Sequence, residues 1–104
     1  MSRGPDSGTL LGRALLAAAA AAGCPARLTG SDWSRWASAT FTGARHTLTL
    51  EAPPSIQLDA WLAALPEAEF RLRGHLVADI AVAGMERDNG RVLLCLEALT
   101  IEER

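Results

Sequence analysis

Two kinds of apolar spacing alternate along the chain, a helical one and a strand one, and the alternation occurs twice. Residues 7–22 put Leu11, Leu15, Ala18 and Ala22 on one helical stripe, with Leu10 and Ala14 beside it. Asp6 or Ser7 is a suitable N-cap, and the alanine run favours helix more than any other composition. Gly23 suits a left-handed C-terminal residue and Pro25 forbids continuation. After a connector from Pro25 to Asp32, the segments Trp36–Thr42 and Arg45–Ala52 read as two strands joined by Gly43-Ala44 in a type II′ turn. That turn sets Phe41 against His46 and Ala39 against Leu48, leaving Trp36, Thr47 and Thr49 on a mostly polar opposite face. Pro53-Pro54 ends the hairpin. Ser55 then caps a second helix, in which Leu58, Trp61, Leu62 and Leu65 follow the i, i+3, i+4, i+7 rule up to Pro66.

A longer hairpin follows, with arms Glu69–Ala83 and Arg91–Ile101 and a loop at Glu86–Gly90. In its first arm Phe70, Leu72, Leu76, Ala78, Ile80 and Val82 alternate with Arg71, Arg73, His75, Val77, Asp79 and Ala81. The second arm is apolar on both sides, Val92, Leu94, Leu96 and Ala98 on one and Leu93, Cys95, Leu99 and Ile101 on the other. The Asn89-Gly90 loop admits more than one register, so the inward set stays open. The expected fold is α+β in αββαββ order, a four-stranded antiparallel sheet with two helices on one face, forming one domain over residues 1–104. Phe41/His46 and Phe70/His75 recur at a common offset and mark a candidate pseudo-repeat of residues 7–52 and 55–102.

Composition narrows the function classes. With 49% hydrophobic residues in 104, the chain has enough apolar surface to build a core. A net charge of −2, with no lysine and the arginines dispersed, gives no basic field for phosphates, which argues against nucleic acid. Cys24 and Cys95 lack metal-site spacing and read as small apolar residues of a reducing, cytoplasmic compartment. Arg3, Arg13, the alanine run and Gly23-Cys24 also spell a lipoprotein leader acylated at Cys24. Ala21, where a larger aliphatic residue is usual, and Arg13 inside the apolar stretch favour the folded helix instead. The run is too short to span a bilayer, so no membrane association is expected.

Candidate chemistry is sparse. His46 shares a predicted face with Leu48 and Leu50 and reads as a histidine at the core edge. His75 alternates outward with Arg71 and Arg73, giving a row of donors that fits a carboxylate or phosphate, although such a row is more often a solvated strand face. Trp33 and Trp36 fit a binding surface, although indoles in a short connector more often plug the edge of the core, and no nucleophile, metal or cofactor motif is present. The feature that most needs a partner is the second apolar side of the last hairpin, carried by Val77, Ala81, Leu93, Cys95, Leu99 and Ile101. It leads to the expectation of a small homodimeric interaction protein without catalytic activity. The alternatives are a module for a small acidic or phosphorylated ligand held by Arg71, Arg73 and His75, and an enzyme using His75 as a base.

Overall fold

The computed structural model of the protein describes residues 6–103. Helix α1 (Ser7–Ala21) starts where the Asp6 carboxylate accepts the Thr9 N–H at 2.8 Å, and it ends at Gly23, whose φ of 84° only glycine adopts without strain. Strands β1 (Arg27–Ala37) and β2 (Thr42–Ala52) form a hairpin. Ser55 caps α2 (Ile56–Ala64) by accepting the Leu58 N–H at 2.9 Å, and one 3₁₀ turn, Leu65–Glu67, takes the chain past Pro66. Strands β3 (Arg71–Leu72), β4 (His75–Asp88) and β5 (Arg91–Glu102) complete a five-stranded antiparallel sheet in the order β1-β2-β5-β4-β3.

One side of this sheet carries the core. Leu48 and Leu50 of β2, Leu94 and Leu96 of β5 and Ile80 of β4 join Leu11, Leu15 and Ala19 of α1 with Leu58 and Leu65 from the α2 region in a single buried cluster. Each of these leucines contributes about 1.5–3 kcal/mol through burial, and the alternation of strand side chains places the intervening residues on the opposite face. The inward set of β5 is therefore Val92, Leu94, Leu96, Ala98 and Thr100. Asn89 (φ 51°) and Gly90 (φ 75°) form a two-residue turn that pairs Asp88 with Arg91 and fixes this register.

The structure corrects the expected fold in two places. The sheet has five strands rather than four, because the expected arm Glu69–Ala83 folds back at Arg73-Gly74, where Gly74 has φ 78°. The first hairpin turns at Ser38–Phe41 and not at Gly43-Ala44. Ser38 closes that turn by donating its N–H to the Phe41 carbonyl at 2.7 Å, while its hydroxyl accepts the Phe41 N–H at 3.1 Å. As a result His46 lies opposite Trp33 and Leu48 opposite Ser31, and most of the expected connector, from Arg27 on, is strand. The Phe–His pairs have unlike settings, since Phe41 leads directly into the strand that holds His46 whereas β3 and the Arg73-Gly74 turn separate Phe70 from His75. Arg3, part of the leader reading, lies outside the described residues.

Candidate interaction face

The face of the sheet away from the helices is built in rows across the strands. Trp36, Gly43, Ile101 and Leu76 form the first row, and Ser34, Arg45, Leu99 and Asp79 the second. The third is Asp32, Thr47, Glu97 and Ala81, and beyond it Thr49, Cys95 and Gly84 lead to Glu51, Leu93 and Glu86. Leu93, Cys95, Leu99 and Ile101 on β5 are only half-buried, and Leu76 is 49% exposed. A shallow groove of about 400 Å³ crosses the second and third rows, with Asp32, Asp79 and Glu97 supplying carboxylates and Arg45 a guanidinium. Glu51 at the far end is paired with Arg27 at 2.7 Å and Arg91 at 3.0 Å, whereas Arg45, Asp79 and Glu97 have no ion-pair partner among the described residues.

Gly43 shapes one end of this face. A Cβ there would stand 1.9 Å from the Thr100 carbonyl oxygen and 3.0 Å from Cε2 of Trp36, so the indole lies over a backbone that tolerates no side chain. The Trp36 Nε1–H is buried and has no acceptor among the described residues.

Both edges of the sheet are obstructed. A bulge at Thr29 interrupts β1, and further along the Trp33 N–H is taken up by the Asp32 carboxylate at 2.9 Å. Beyond its short pairing with β3, the outer edge of β4 is broken by bulges at Ala78 and Ala83. Such irregularities suppress strand-to-strand association.

A polar cluster sits on the helix side. His46 is 2% exposed and its Nε2 lies 2.9 Å from the Thr100 hydroxyl, which in turn is 3.5 Å from the Ala44 carbonyl. If the hydroxyl donates to that carbonyl, it accepts from Nε2–H, and Nδ1 keeps a bare lone pair with no partner among the described residues. Burial pushes the His46 imidazole below the ordinary histidine range, the Asp6 carboxylate opposes that shift, and His75 adds to it. No group of three or more His, Cys, Asp or Glu side chains converges to hold a metal among the described residues.

The expected row of Arg71, Arg73 and His75 does not form. Arg71 lies in β3 opposite Leu76, Arg73 is in the turn, and His75 opens β4 opposite Glu102 with its Nδ1 buried on the helix side. The Gly74 turn inverts the alternation read from the sequence over His75–Val77, so Val77 packs against the core and Leu76 faces out, and the Ala78 bulge restores it, leaving Asp79 outward as read. Val77 is thereby removed from the expected interface set, and Ala81, Leu93, Cys95, Leu99 and Ile101 share the uncovered face. Sequence reasoning missed Leu76 and Trp36 as members of it. The tight Arg73-Gly74 pair was the available signal for the first, and the shared face of Trp36 with Thr47 and Thr49 was the signal for the second. Cys24, the residue of the leader reading, is buried beside the end of α1, and burial pushes its thiol upward. No helix among the described residues is long and apolar enough to cross a membrane. No family model, curated protein or solved structure matches this chain, so the reading of the face rests on its own chemistry.

Proposed function

We propose that this protein is a small interaction module, without catalytic activity of its own, that works as a homodimer through the uncovered face of its sheet. The supporting observation is the line of half-buried Leu93, Cys95, Leu99 and Ile101 along β5, flanked by Leu76, on a face that neither helix reaches. Four long strands at about 4.8 Å spacing and ~3.3 Å per residue give roughly 600–700 Å² of sheet face. That is close to the ~800 Å² per partner of a standard protein interface. The obstructed edges favour association through the face over extension of the sheet. The rival reading, an acidic or phosphorylated ligand on Arg71, Arg73 and His75, loses its support because the three side chains do not share a face.

Sedimentation velocity tests the proposal. The unmodified protein is expected to run as a dimer at high micromolar concentration. Leu99→Glu would carry a carboxylate from each copy out of water at the centre of the contact and remove a buried leucine, and is expected to run as a monomer with unchanged far-UV circular dichroism. A monomeric parent at that concentration overturns the reading.

A further inference from the structure

Resting on the homodimer reading, we propose that the two copies stack face to face about a two-fold axis that runs along β5, so that Arg45 of each copy pairs with Asp79 of the other. The second row carries the argument. Arg45 on β2 and Asp79 on β4 are the register neighbours of Leu99, one on each side of it. Both are exposed, and neither has an ion-pair partner among the described residues. A two-fold axis over β5 exchanges β2 with β4, which sets a guanidinium against a carboxylate twice by symmetry. The first row agrees with it. Ile101 meets its own copy on the axis, and half-exposed Leu76 comes to rest against the indole of Trp36, which lies over Gly43.

Other placements fit less well. An axis between β2 and β5 would set Arg45 over Leu99 and leave both Asp79 carboxylates unpaired. Packed sheets cross at about 30°, which displaces a residue one strand from the axis by only ~2–3 Å, within the reach of an arginine side chain. The same axis brings Glu97 against its own copy in the third row. That like-charge contact makes a second, opposite prediction, namely that Glu97→Gln tightens the dimer.

The experiment is a charge exchange read by sedimentation equilibrium on the full chain. Arg45→Glu alone and Asp79→Arg alone each create two like-charge contacts and are expected to weaken the dimer roughly tenfold or more. Mixed in equal amounts, the two single variants have both contacts attractive and are expected to form a heterodimer near the parent affinity. The double variant Arg45→Glu/Asp79→Arg is expected to recover as well. Independently, a bis-maleimide of about 13 Å reach is expected to join Cys95 to Cys95, because both copies of Cys95 lie near the axis on the face of Leu99 while Cys24 is buried. If the parent is a dimer but the single variants associate as tightly as it does, or mixing restores nothing, the β5 axis is wrong and the dimer stands. If the parent is a monomer, the homodimer reading fails and the axis with it.

Discussion

Replacing Gly43 by alanine probes the tightest approach in the sheet. The added methyl would lie 1.9 Å from the Thr100 carbonyl oxygen, 2.9 Å from its carbonyl carbon and 3.0 Å from the Trp36 ring. Two of those three atoms are backbone of the neighbouring strand, so relief requires β2 and β5 to move apart where Gly43 pairs with Ile101. Overpacking a core ordinarily costs about 1–3 kcal/mol, and a clash with a ladder carbonyl belongs at the upper end, near 3 kcal/mol. For a chain of this size that corresponds to a fall in Tm of roughly 10 °C or more. Gly84→Ala is the matched control. Its Cβ would meet only the Cys95 Cβ at 3.8 Å, an ordinary contact, and the loss of unfolded-state freedom offsets the cost, so its stability should stay within about 0.5 kcal/mol of the parent. Urea unfolding followed by tryptophan fluorescence measures both. Equal stabilities for the two variants would refute the account of Gly43 as a position closed by its neighbours' backbone.

Two further predictions concern acid. Because the folded protein holds His46 below its ordinary value, the unfolded chain takes up that proton first; the neutral ring's contribution is complete above about pH 6.5 and is lost as pH falls below it. His46→Leu should flatten the fall in urea midpoint between about pH 7 and pH 5.5, and an unchanged slope would assign it to another group. The Thr9 N–H holds the Asp6 carboxyl below the usual carboxylate range, so its contribution is present at neutral pH and disappears as pH drops through the carboxylate range. Asp6→Ala should cost about 1 kcal/mol at pH 7 and nothing once the parent carboxyl is protonated, as chemical denaturation at the two pH values would show.

What could be read from the chain divides along the range of the interactions involved. The bounds of α1 and α2 follow from residues a few positions apart, Asp6 with Thr9, Ser55 with Leu58, and Gly23 as a stop, and these were legible. The edge strand β1 was not. Its segment Arg27–Ala37 is exposed on most positions and has no alternation to find, and it becomes a strand by pairing with β2. The turn was misplaced for a related reason. Gly43 offers a glycine at a turn-like position, but its small size serves a close approach of two strands, which involves Thr100, 57 residues away in the chain. In the candidate face, the apolar residues of β5 were visible from their two-residue spacing. Arg45 and Asp79 were visible as charges but not as neighbours of Leu99, because that depends on the order of the strands and on the register of β4 against β5, which the bulges at Ala78 and Ala83 shift.

The strand order has a kinetic consequence. Strands β1 and β2 are joined by a short turn, and so are β4 and β5, so each hairpin closes with little loop entropy. The ladder between β2 and β5, however, unites segments separated by α2 and the whole first arm of the second hairpin, and it lies at the middle of the sheet. Neither hairpin buries its apolar side until that ladder forms and the helices settle on it. The β2–β5 ladder therefore carries most of the loop-closure cost of the fold, and its formation is the step expected to limit the folding rate.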